Sequence, residues 1–130
     1  MTILETIVIV ATLGGVLALL SLLARPREIG SPALALLLCA LFAAFTAVQM
    51  AVEGPVMFWT NHTANLTGVQ VWWDLVMVVI IALFLIAPRA RAAGMNLPGW
   101  SLLVACTASI GLLAMCARLF WLERRAASEA

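Results

Sequence analysis

The side chains able to do chemistry are few and are expected to gather at one depth, the outer leaflet of a membrane. Gln49 and Glu53 are one helical turn apart, with Thr46 on the same side, and Gln70 and Asp74 repeat that spacing. Arg118 is a guanidinium set inside an otherwise apolar run. Two readings of Glu53, Asp74 and Arg118 are open. In the first, Asp74 and Arg118 form a structural ion pair, with Glu53 competing for the same guanidinium, because a charge inside a membrane costs several kcal/mol unless partnered. In the second, burial raises the pKa of Glu53 or Asp74 so that it exchanges protons, and His62 serves as a shuttle above them.

His62 has no second histidine to complete an axial pair or a metal triad, and its expected place is an exposed or hydrogen-bonded loop. Cys39, Cys106 and Cys116 are odd in number and lack CxxC spacing, so they read as small apolar packing residues, and no metal site is expected.

The elements that must position these groups are long and apolar. With 65% hydrophobic and 10% charged residues, a chain of 130 residues cannot enclose its apolar surface in water. Four runs, at about 3–24, 32–52, 69–87 and 100–122, are each close to the roughly 20 residues that a helix needs to cross about 30 Å of hydrocarbon. The expected fold is all-α: one domain over residues 1–130, folded as a four-helix transmembrane bundle. Residues 1–5 lack the basic start of a signal peptide, so the first helix is expected to remain in the mature protein.

Seven arginines and no lysine give a net charge of +1 and no basic stripe, which excludes nucleic-acid binding. Heavy use of Ala, Leu and Arg without Lys points to a GC-rich bacterial genome, hence to the bacterial inner membrane. Arg25 and Arg27 follow the first run and Arg89 and Arg91 the third, whereas residues 53–68 contain no basic residue. The positive-inside rule puts both arginine-bearing turns in the cytoplasm, and four crossings then place both termini in the periplasm, Arg124 and Arg125 included.

Small residues mark packing faces: Ala40, Ala43, Ala44, Ala47 and Ala51 on the second run, and Thr107 with Gly111 on the fourth. Trp59, Trp72, Trp73, Trp100 and Trp121 fall near run ends, where indole rings anchor at the headgroup level.

The succession Ala64-Asn65, Asp74, Arg89-Ala90-Arg91, Gly94-Met95, Trp100, Gly111 and Leu122-Glu123-Arg124 resembles a family of small bacterial and cyanobacterial integral membrane proteins known only as a domain of unknown function. The resemblance covers residues 64–125 and implies a helical bundle with no assigned activity. Arg118 stands where that family has an apolar segment. A fainter likeness joins Gln49 to Gly54 with the His-x-x-x-Glu-Gly segment of emopamil-binding-type sterol isomerases, with Gln49 in place of the histidine. Small multidrug transporters share the size, but their mid-helix glutamate has no counterpart here, since Glu5 lies at the end of the first run.

The expected function is that of a non-enzymatic membrane protein. It would be an accessory subunit of a larger complex, or a helper whose surface binds lipid, quinone or pigment. Membrane lipids, other membrane subunits or further copies of the chain are its expected partners. The alternative is an acid/base enzyme or proton-coupled carrier for a lipid-soluble substrate, using Glu53 and Asp74 with His62, and it requires an apolar pocket between the second and third runs.

Overall fold

A computed structural model describes residues 2–24 and 29–129, all helical or connecting; Arg25, Pro26 and Arg27 lie outside them. The order is α1 (Ile3–Ala24), α2 (Pro32–Glu53), α3 (Pro55–Thr63), α4 (Leu66–Ala92), α5 (Leu97–Thr107) and α6 (Ser109–Glu129). Helices α1, α2 and α4 are long and apolar enough to cross a membrane. The chain divides into two compact units, residues 1–30 and 31–130.

The first unit is α1, apolar on all sides, and its start is a capping box. The Thr2 N–H donates to Glu5 Oε2 at 2.7 Å and the Glu5 N–H to Thr2 Oγ1 at 3.2 Å, so amides left free by the first turn are satisfied locally.

In the second unit each helix start and stop has a local cause. Ser31 Oγ accepts from the Leu34 N–H at 3.3 Å and Pro32 supplies a preset first turn. Gly54, at φ 79°, ends α2, and Pro55 opens α3. Asn65 Oδ1 caps α4 through the Gly68 N–H at 2.9 Å. The end of α4 is a Schellman motif. Gly94 takes φ 70°, its N–H donates to Arg91 O at 3.0 Å, and the Met95 N–H reaches back to Ala90 O at 2.9 Å. The apolar contact such a motif brings is present, for Ala90 and Met95 both belong to the buried core. Asn96 then caps α5. The spacing of Arg89-Ala90-Arg91 and Gly94-Met95 in the sequence thus encodes a helix stop followed at once by a new start.

The run at 100–122, expected as one crossing, is two helices. Between α5 and α6, Ala108 adopts φ 47° and ψ −115°, a conformation L side chains rarely hold. Gly111 is pressed against the preceding helix: a Cβ there would lie 2.9 Å from both Leu103 O and Val104 Cα. Residues seven or eight apart in a straight helix are separated by about 10–12 Å, so α6 has turned back onto α5. Thr107 Oγ1 donates to Leu103 O at 2.7 Å inside the bend, a local hydrogen bond of the kind that bends helices. The small pair Thr107 and Gly111 therefore serves the α5–α6 bend.

Fold-back is completed at the other end. Arg89, in the last turn of α4, pairs with Glu123 on α6 at 2.6 Å, so the end of α6 lies beside the end of α4. Between them sits the core: Ala90, Met95, Val104, Met115 and Leu119, with Leu97, Trp100, Leu112 and Phe120 packed around it. Helix α2 packs on α6 through Ala35 and Cys39, whose Sγ donates to Ile110 O at 3.5 Å. Helix α3 packs on the start of α4, and α2 and α4 do not pack on one another.

Two substitutions test the bend. Ala108→Gly removes the unfavourable positive φ and is expected to stabilise the detergent-solubilised protein by about 1 kcal/mol. Gly111→Ala forces backbone apart and is expected to cost roughly 1–3 kcal/mol. Thermal unfolding followed by circular dichroism reads both; reversed signs, with Ala108→Gly destabilising and Gly111→Ala stabilising as in any helix interior, would mean that residues 97–129 form a single straight helix.

Candidate functional site

The structure sorts the polar residues into two groups at opposite ends of α4. At its start, α3 lies close against α4 because Gly68 has no side chain: a Cβ there would sit 2.6 Å from Asn61 O. That approach assembles an aromatic cluster. Trp72 meets Phe58 at 5.6 Å, Trp59 at 6.4 Å and His62 at 5.6 Å between ring centroids, and Phe58 lies 4.7 Å from His62. His62 Nδ1 is 2.6 Å from Phe58 O. A carbonyl only accepts, so the proton is assigned to Nδ1, and the lone pair of neutral His62 is on Nε2. His62 is the last-turn residue of a short helix, half-buried among rings.

Neither carboxylate joins it. Glu53, exposed at the end of α2, accepts from Gln49 Nε2 at 3.2 Å, the pairing that their spacing anticipates. Asp74 is two residues beyond Trp72, hence roughly 200° round the helix from the aromatic cluster. It is exposed on the same stripe as Gln70. The second and third runs, between which acid/base chemistry requires a pocket, belong to α2 and α4, which do not pack on one another. No group of three or more His, Cys, Asp or Glu side chains gathers among the described residues.

Asp74 and Arg118 are not paired either. The ion pairs among the described residues are Arg89–Glu123 and Arg125–Glu129. Helix register explains this. Asp74 lies about 22 Å along α4 from Arg89, whereas Arg118 lies only about 7.5 Å along α6 from Glu123, so joining Arg89 to Glu123 leaves the other two at different levels.

The second group is built by the fold-back. Arg89 donates from Nε to Glu123 Oε1 at 2.8 Å and from Nη2 to Oε2 at 2.6 Å, a two-point geometry that fixes orientation as well as distance. Its guanidinium also lies 5.7 Å from the Phe120 ring. Arg118 stacks over Trp121 at 4.6 Å, and Arg125 approaches the same ring at 5.7 Å while its Nε donates to Glu129 at 2.9 Å. Between this end of α4 and α6 runs an open groove of about 580 Å³, lined by Arg89, Ala92, Leu122, Glu123, Arg125 and Glu129 among others. Sequence reasoning passed over Glu123 as a partner. The available signal was charge density: Arg118, Glu123, Arg124 and Arg125 crowd the end of a run expected to be buried in lipid.

The five tryptophans divide similarly. Trp59 and Trp73 are exposed, Trp72 is half-buried in the α3–α4 cluster, Trp100 packs against the core and Trp121 lies between two arginines. No protein-family model matches the chain, and no curated protein or solved structure matches it.

A double-mutant cycle separates the observed pair from the expected one. Arg89→Met and Glu123→Gln should couple by roughly 1 kcal/mol in thermal unfolding, a modest value because the Arg89 side chain is 43% exposed. Asp74→Ala and Arg118→Ala should be additive.

Proposed function

We propose that this chain is a non-enzymatic integral membrane protein of the bacterial inner membrane that docks against other membrane subunits through α2. The observation that carries the proposal is the division of that helix into two faces. Ala35 and Cys39 face α6, and Ala43, Thr46 and Gln49 continue the same side half-buried, whereas Ala40, Ala44, Ala47 and Ala51, about 100° further round, are exposed. Small residues let helix backbones approach closely, and packing of this kind holds helices together in lipid, where apolar area supplies little drive. A line of four alanines left uncovered by the other helices of the second unit fits a further helix laid along it.

The same reading includes an orientation. Helix α5 has 11 residues and so reaches only about 16 Å, about half the hydrocarbon thickness. Residues 97–129 then enter the bilayer, turn at Ala108 and leave on the side of entry, giving three crossings and a re-entrant hairpin. This arrangement gathers Arg89, Arg91, Arg124 and Arg125 on one side. The positive-inside rule makes it the cytoplasm, with the C-terminus inside and residue 1 outside. It replaces the four-against-two division of arginines that two periplasmic termini require.

Cysteine labelling tests the orientation in a background lacking Cys39, Cys106 and Cys116: Ser31→Cys and Ser128→Cys should both react from the cytoplasmic face and Thr2→Cys from the periplasmic face. Labelling of Ser31→Cys and Ser128→Cys from opposite sides would overturn the re-entrant hairpin. Docking is tested by co-purification in mild detergent. Ala44→Leu or Ala47→Leu should reduce recovery of partner subunits severalfold, and Glu53→Gln or Asp74→Asn should leave it unchanged. Loss of a complex-level activity in the carboxamide variants, with partners retained in the leucine variants, would favour acid/base chemistry instead.

A further inference from the structure

Residues 118, 121 and 125 recur at spacings of three and four and so share one face of α6. All three are exposed. The Arg118 guanidinium is laid over the Trp121 ring at 4.6 Å and makes no ion pair among the described residues. Stacking consumes none of its five N–H donors, so they are available to an acceptor at the ring's edge. Arg125 approaches the same indole at 5.7 Å and spends Nε on Glu129, which leaves its two terminal nitrogens. The two guanidinium groups are thus within about 10 Å of each other, roughly a Debye length, and an anion between them relieves their repulsion. The nearest other acid on α6, Glu123, is engaged by Arg89.

We propose that Arg118, Trp121 and Arg125 form a site for a phosphate group, that of an anionic glycerophospholipid. Depth argues for the lipid over free phosphate. Arg118 lies about 7.5 Å further along α6 toward the bend than Glu123, which puts its stem in the apolar layer. Its guanidinium turns back toward Trp121, the snorkelling posture that carries a buried arginine's charge to the headgroup level, where indoles also settle. This inference goes beyond the docking reading and uses a different helix. It rests on the end of α6 meeting the cytoplasmic leaflet, where anionic headgroups draw arginine.

The test is lipid retention by the full chain in mild detergent, measured by native mass spectrometry with phosphatidylglycerol and phosphatidylcholine in competition. A separate arm adds millimolar inorganic phosphate. The wild type should retain phosphatidylglycerol preferentially, and Arg118→Gln and Arg125→Gln should each lower that preference about fivefold. Arg118→Lys and Trp121→Phe should retain most of it, and Arg91→Gln, which removes a charge at the same end but outside the site, should leave it unchanged. Circular dichroism confirms that each variant keeps its helices, and Ala44→Leu, which addresses docking, should not alter lipid preference. Equal retention of the two lipids, an unchanged preference in the Arg118→Gln/Arg125→Gln double variant, or an equal loss in Arg91→Gln would overturn the site. Abolition of the preference by inorganic phosphate would overturn the lipid assignment.

Discussion

The arrangement of the second unit depends on one closed loop of chain, turned at Ala108 and fastened by Arg89 and Glu123. The turn costs free energy, since Ala108 holds a positive φ without the freedom of glycine. It persists because Gly111 lets α6 settle on the α5 backbone and because the two-point Arg89–Glu123 contact ties the far end. Opening the loop would free the core residues Val104, Met115 and Leu119, which are fully buried.

That core is small, and the rest of the apolar surface faces outward. Exposed leucine, valine and isoleucine side chains cover α2 and α4, which in water would be untenable and in lipid is ordinary. Local devices therefore carry much of the order: the Ser31, Asn65 and Asn96 caps, the Schellman stop at Gly94 and the glycine contacts at residues 68 and 111. Each satisfies backbone groups or permits close approach without needing burial of a large side chain.

Chemistry follows the same geometry. His62, Glu53 and Asp74 are close in sequence order but belong to three helices, and their side chains face different surroundings: rings, Gln49 and the open face of α4. Arg89 of α4 and the arginines of α6 converge instead, because the fold-back brings the ends of α4 and α6 together. The cation over Phe120 is the consequence, whereas Arg118 and Arg125 meet Trp121 along α6 itself.

Periodicity-free apolar runs and their lengths determined that the chain is helical, since backbone groups in lipid have to be satisfied within the segment; they pointed to four crossings, whereas three helices are long and apolar enough to cross a membrane. The bounds of α1 and α2 were legible too, matching the runs at 3–24 and 32–52, but α4 continues through Pro88 to Ala92 instead of ending at 87, and α3 lies in what was expected as a connector. The Gln49–Glu53 contact was legible as well, being a matter of one helical turn. The break at Ala108 was not, for alanine is the best of helix formers and only a tertiary contact, Gly111 on Leu103 and Val104, sets its φ. Which charges would meet was likewise a tertiary outcome. Hydropathy gives depth along a straight helix, and once that helix folds back, every residue beyond the bend returns toward the end from which it came, so Glu123 meets Arg89 and Arg118 does not reach Asp74.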